Sequence, residues 1–255
     1  MVKMGWIDGN KPEQQVKEDV SSLFVPLQEV AQKRGLKVGV YGKAGSGKTR
    51  FALTFPEPIY VLDTEKGSDF FGKLFPNKKI HIADVYQKGK EGEKDEVACF
   101  EKFQKTINWI TENEKEGTVV IDSGSDLWKF AQTYGKVKIF NLTPEARLRL
   151  RFDWGKITNL YEQLLSSLIH SSLNVVITGK VSNKFDSTGQ ETGETQSRWQ
   201  KDTEYALDIV MEMQKHDLKD KNVFYATVEK CRANGNLTGK KIDDINYEKL
   251  KGLLE

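Results

Sequence analysis

The chain has 255 residues, of which 38 % are apolar and 30 % charged, with a formal net charge of +2. That length suits a large α/β domain with an appendage, and the balanced charge excludes a polybasic coat protein while leaving room for a local basic patch. Cys99 and Cys231 form no CxxC, and His81, His170 and His216 are scattered, which excludes a zinc module and a disulfide framework.

No signal peptide is visible and no apolar run approaches the roughly 18 residues of a membrane span, so a soluble, cytoplasmic chain with no membrane partner is expected. Residues 1–36 are expected to form an N-terminal helical extension. Val16, Val20, Leu23, Leu27 and Val30 recur at helical spacing there, broken at Pro26. Residues 37–255 are expected to form the core.

The core opens on a β-rich run, Val38 to Tyr41, leading into Gly42-Lys43-Ala44-Gly45-Ser46-Gly47-Lys48-Thr49. This is a full match to G-x-x-x-x-G-K-[ST] in the strand–loop–helix context that gives the motif meaning. Glycines allow a tight backbone whose N–H groups converge on phosphates, and a following helix start, from Arg50, adds its positive end. Gly42 to Arg50 are therefore the candidate nucleotide ligands. Lys48 is placed for the β- and γ-phosphates of ATP and the Thr49 hydroxyl for Mg²⁺.

Ile59 to Leu62 reads as a buried strand ending in Asp63-Thr64-Glu65, where ligands bind in open α/β sheets. Glu65 is a candidate general base for an attacking water. Asp63 suits either metal or local structure, and a solvated turn is the plain alternative for both. Lys79 to Ile82 is a short strand, residues 86–96 a polar loop, and Val97 to Thr111 a helix with Phe100, Phe103, Ile107 and Ile110 on one face. Gly117 to Ile121 is a strand ending in Asp122, a candidate Mg²⁺-supporting acid beside the phosphate loop.

Between Lys136 and Lys156 six cations face two anions, with Phe140, Phe152 and Trp154 interleaved. Cations for phosphates and aromatics for bases suit single-stranded DNA, and an ordinary solvated surface remains open. Ile157 to Ser171 is an amphipathic helix, and Leu173 to Lys180 a core strand whose Thr178 or Lys180 is placed either to sense a γ-phosphate or to cap the strand. Ser182 to Lys201 is expected to be a mobile polar loop, with Arg198 and Trp199 as candidate contacts. Tyr205 to Gln214 and Asn222 to Val228 read as antiparallel strands. After them Lys230 and Arg232 share one side of an extended segment, open to an own-site, an across-subunit or a surface role. A short helix, Tyr247 to Leu254, closes the chain.

Taken together, the phosphate loop, Leu62-Asp63-Thr64-Glu65, Val119-Val120-Ile121-Asp122, Thr178-Gly179-Lys180 and Glu229-Lys230-Cys231-Arg232 resemble RecA/RadA-like recombinase ATPases. The likeness is to the core-only phage and archaeal type, described as phage nucleotide-binding or single-strand-annealing recombinases. The resemblance implies an α/β, three-layer RecA-like P-loop NTPase with a mostly parallel central sheet. It implies a Mg²⁺-dependent, DNA-stimulated ATPase of recombination or repair, with Glu65 as catalytic glutamate and Asp122 as metal acid. Lys230 and Arg232 correspond to the cation pair that reaches ATP between subunits of a homo-oligomer, a filament or ring. The alternative is a recombinase paralogue or mediator that binds nucleotide and hydrolyses little.

Overall fold

The structure is a computed structural model, and it describes residues 24–27, 34–148, 150–217 and 222–255. It divides into a unit spanning Met1–Lys33 and a unit spanning Arg34–Glu255. Apart from residues 24–27, the expected helical extension lies outside the described residues.

In the second unit, β1 (Lys37–Tyr41), β2 (Ile59–Asp63), β3 (Ile80–Asp84), β4 (Thr118–Asp122) and β5 (Asn174–Gly179) are parallel strands of one sheet. The hairpin β6 (Val181–Phe185) and β7 (Glu191–Ser197) stands apart as a two-stranded sheet. The main sheet is completed by β8 (Ile209–Asp217), parallel to β1, and by the antiparallel β9 (Asn222–Cys231) and β10 (Lys241–Asp243). Its order is β10-β9-β8-β1-β5-β4-β2-β3. The strand that feeds the phosphate loop is thus separated from the strand that ends in Asp122 by β5.

Both faces of the parallel strands are covered, which is why they read as near-continuous apolar runs rather than alternating ones. Tyr41, Leu62, Val119, Ile121, Val175 and Ile177 point to one face. There they meet α2 (Glu96–Asn113), α3 (Gly124–Tyr134) and α4 (Arg151–Ile169). Val38, Val40, Val61, Val120 and Val176 point to the other. They pack on α1 (Lys48–Ala52) and α6 (Tyr247–Leu254), with α5 (Thr203–Ala206) a single turn ahead of β8. Two helical layers around a mostly parallel sheet, with the phosphate loop at the carboxyl end of β1, make a three-layer RecA-like P-loop NTPase fold.

Three segments differ from expectation. Within residues 182–201, expected to be a mobile loop, the chain forms the β6–β7 hairpin; apart from Val181 and Phe185 its strands are polar and mostly exposed, so the sequence shows little apolar alternation. Trp199 leaves the hairpin and is only 5 % exposed. A Cβ at Gly179 would lie 2.7 Å from its ring, so that glycine is what lets the indole lie on the sheet. Finally, α4 begins at Arg151 rather than Ile157, so Phe152, Trp154 and Lys156 ride on its first turns.

Candidate nucleotide site

The loop from Gly42 to Thr49 closes on the sheet through the Gly42 N–H, which donates to the Gly179 carbonyl at 3.2 Å. Gly42 has no substitute: a Cβ there would lie 2.2 Å from the Met213 carbonyl oxygen. Gly45 and Gly47 take φ values of +74° and +90°, the left-handed conformation a phosphate-wrapping backbone needs. The helix that follows is only five residues long, so its dipole is small and the loop N–H groups and Lys48 carry the anion attraction. The Lys48 ammonium is held at the loop by the Gly42 and Lys43 carbonyls at 3.0 and 2.8 Å. Burial pushes its pKa down, against the nearby carboxylates of Asp122 and Glu65 and together with the charge of Lys180.

Thr49 and Asp122 meet. The Thr49 hydroxyl donates to one carboxylate oxygen of Asp122 and the Thr178 hydroxyl to the other, each at 2.6 Å. Hard oxygen donors of this kind suit Mg²⁺. Among the described residues no group of three or more His, Cys, Asp or Glu side chains forms a metal cluster, so a cation at this pair would complete its shell with phosphate and water. The Ser46 hydroxyl is buried within the loop without a hydrogen-bond partner, a polar group that nucleotide contacts would satisfy. These residues fit a Mg²⁺–nucleotide.

Asp63 builds local structure: its carboxylate accepts from the Glu65 and Ser68 N–H groups at 2.9 Å each, closing the turn that presents Glu65. Lys180 Nζ lies 2.5 Å from Glu65 Oε1 and 3.1 Å from Asp126 Oδ1. Asp126 was not singled out in the sequence, although Ser123 caps α3 by accepting from its N–H. Burial alone would raise the Asp126 pKa. Hydrogen bonds from Thr64, Lys180 and Ser123 outweigh it and hold the carboxyl below its ordinary range.

An AAA domain family model (AAA_24) matches residues 34–235. The chain belongs to the AAA domain family. Two solved structures resemble this AAA domain. One is a KaiC-like protein from Pyrococcus horikoshii OT3, with 17 % identity over 82 % of this chain and 85 % of that one and a TM-score of 0.45. The other is a RadB recombinase, with 14 % identity over 82 % and 86 % and a TM-score of 0.48. No curated protein matches the chain.

The remaining sequence-predicted residues of the AAA domain lie elsewhere. Lys230 pairs in register with Val210 at the amino end of β8, whereas the loop follows Tyr41 at the carboxyl end of β1. Val210 is level with Gly39, so Lys230 sits two strands to the side of β1 and two residues, about 7 Å along the strand, short of Tyr41. The Lys230 ammonium donates to the Glu204 and Leu207 carbonyls, and the Arg232 guanidinium donates to the Tyr205 carbonyl and lies 3.7 Å from Asp208. Both cations do share one side, and that side is the turn ahead of β8.

In the basic interval Lys136 donates to the Pro144 carbonyl and Lys138 pairs with Glu101. The Lys156 ammonium lies over the rings of both Phe140 and Phe152, 5.4 and 5.1 Å from their centroids, and Phe152 is 72 % exposed. Arg149 lies outside the described residues. Among the described residues no helix is long and apolar enough to cross a membrane.

Proposed function

We propose that this protein is a Mg²⁺-dependent ATPase that acts with single-stranded DNA in recombination or annealing, in the cytoplasm. One observation carries the ATPase reading. The Thr49–Asp122 pair, Lys48 and Glu65 come from three separate strand ends and converge on one edge of the sheet. Thr49 and Asp122 would hold Mg²⁺, which supplies electrostatic stabilisation to the phosphates. Gly42 to Arg50 bind and orient the triphosphate, Lys48 stabilises charge developing on the γ-phosphate, and Glu65 orients the attacking water for in-line displacement.

The DNA part rests on the surface where Lys156 lies over the rings of Phe140 and the exposed Phe152, with Trp154 also exposed on the same helix. Phe152→Ala is expected to weaken single-strand affinity by about tenfold. Unchanged binding in a fluorescence anisotropy titration would remove this surface from the proposal. Lys230 and Arg232 are proposed to complete the site of a neighbouring subunit in a homo-oligomer.

The deciding experiment is turnover against protein concentration, with and without single-stranded DNA, alongside the mass of the assembly. Stimulation by DNA and by assembly supports the reading; turnover indifferent to both counts against the coupling. A second reading, a nucleotide-binding mediator with little hydrolysis, draws support from the Lys180 ion pair that engages Glu65. Negligible wild-type turnover under all these conditions would select it.

A further inference from the structure

The two carboxylates that share Lys180 hold it differently. Asp126 is 14 % exposed, and its carboxylate also accepts from the Thr64 and Ser123 hydroxyls at 2.8 and 2.9 Å. The backbone of Lys180 is fixed to the same helix, its N–H donating to Ser125 Oγ at 2.9 Å. Glu65 is 52 % exposed and meets Lys180 through one oxygen. A shielded, hydrogen-bonded carboxylate is a lasting anchor for an ammonium, whereas a solvated ion pair is weak and exchanges readily.

Lys180 also stands next to the phosphate loop. The residue before it, Gly179, accepts the Gly42 N–H, and β5 is in register with β1 from Lys37↔Val175 to Tyr41↔Gly179. A terminal phosphate beside Lys48 therefore presents a dianion to the same neighbourhood, against the single charge of Glu65. Coulomb attraction favours the dianion, and Asp126 keeps the lysine within reach.

We propose that Lys180 is a positioning residue that latches Glu65: it pairs with Glu65 until the γ-phosphate of a bound triphosphate draws the ammonium away, freeing Glu65 to orient water. Asp126 is the tether in this exchange. The latch rests on the ATPase reading above and adds a condition to it, that the base is released only by a triphosphate. A diphosphate lacks the γ-phosphate that competes for Lys180 and leaves the pair closed.

The test compares the affinity of the full chain for ATPγS and ADP by fluorescent-nucleotide competition, in wild type, Glu65→Gln, Lys180→Gln and the double variant. Removing the latch by Glu65→Gln is expected to tighten ATPγS three- to tenfold and leave ADP unchanged. In the Lys180→Gln background the same change is expected to have no effect. Lys180→Arg, which keeps the charge, is expected to retain the wild-type preference; a purely structural role for Lys180 would move both nucleotides together. Equal tightening by Glu65→Gln with and without Lys180 would mean simple repulsion between Glu65 and phosphate, and would overturn the latch while leaving the ATPase reading in place. Failure of wild type to bind either nucleotide would overturn both.

Discussion

The two ends of the parallel sheet are both supplied with lysine and arginine, and they treat those cations differently. At the carboxyl end Lys180 is shared between carboxylates, one of them exposed, and half-buried Lys48 rests on two carbonyls of the phosphate loop. At the amino end Lys37, fully buried, donates to the Ser171 and Leu173 carbonyls, while Asp208 receives the Lys37 N–H and pairs with Arg34 and Arg232. Charges bound to backbone carbonyls in the interior brace the chain, because moving them would leave buried acceptors unpaired. Charges paired with solvated carboxylates are free to exchange partners. The first kind makes a frame and the second makes a site.

The sharpest way to break this contrast is at Lys48. Lys48→Ala is expected to lower turnover by about a hundredfold or more while shifting the thermal midpoint only modestly, since of its two acceptors the Lys43 carbonyl is exposed and only the Gly42 carbonyl is part-buried. A large loss of stability, seen by circular dichroism, would place Lys48 with the frame instead.

Next comes Lys230, where the two kinds of role compete. As part of the frame, Lys230→Met is expected to cost about 1–2 kcal/mol of stability by orphaning the Glu204 and Leu207 carbonyls. As a contributor to a neighbour's site, a mixture of Lys230→Met and Lys48→Ala chains is expected to recover turnover that neither has alone. Destabilisation without recovery would leave Lys230 a bracing residue and remove the shared site.

The smallest effect concerns Lys37. Burial, together with the charge of Arg34 and against the pull of Asp208, lowers its pKa from 10.5 to about 8. Below about pH 8 the lysine is charged in both states and the burial penalty is fully present. Between about 8 and 10.5 the unfolded chain binds the proton that the folded one has released, so stability rises with pH through that window. Denaturation midpoints of wild type and Lys37→Met at pH 7 and 9.5 are expected to show a modest gain for the wild type alone; parallel behaviour would show that Lys37 keeps its charge.

The sequence made the loop, Glu65 and Asp122 readable because each is local: a contiguous motif, or an acid at the end of an apolar strand. Asp126 was not readable, since its meaning comes from Lys180, 54 positions away in the chain. The β6–β7 hairpin is not legible because Val181 and Phe185 are the only apolar residues in its strands, and Trp199 is not because a single aromatic in a polar stretch looks the same whether it is bound for solvent or for the core. For Lys230 and Arg232 the alternation was visible. Which end of the sheet they occupy was not, because β9 runs antiparallel to the strand that feeds the loop and extends to Cys231.

Trp199 offers one more use. Its indole lies against Gly39 and Gly179, and its N–H donates to Glu204 at 3.3 Å. It therefore joins the hairpin, the strands beneath the phosphate loop and the turn that holds Lys230. Trp109 and Trp154 are already open to solvent, at 53 % and 37 % exposure, so their emission is red from the outset. Trp128 is half-buried against the core and edge-on to Tyr161, so replacing it by Phe would leave Trp199 as the buried, blue-emitting indole among the described residues. Any event that lifts the hairpin from the sheet would shift that emission toward the red, making the motion visible without a label.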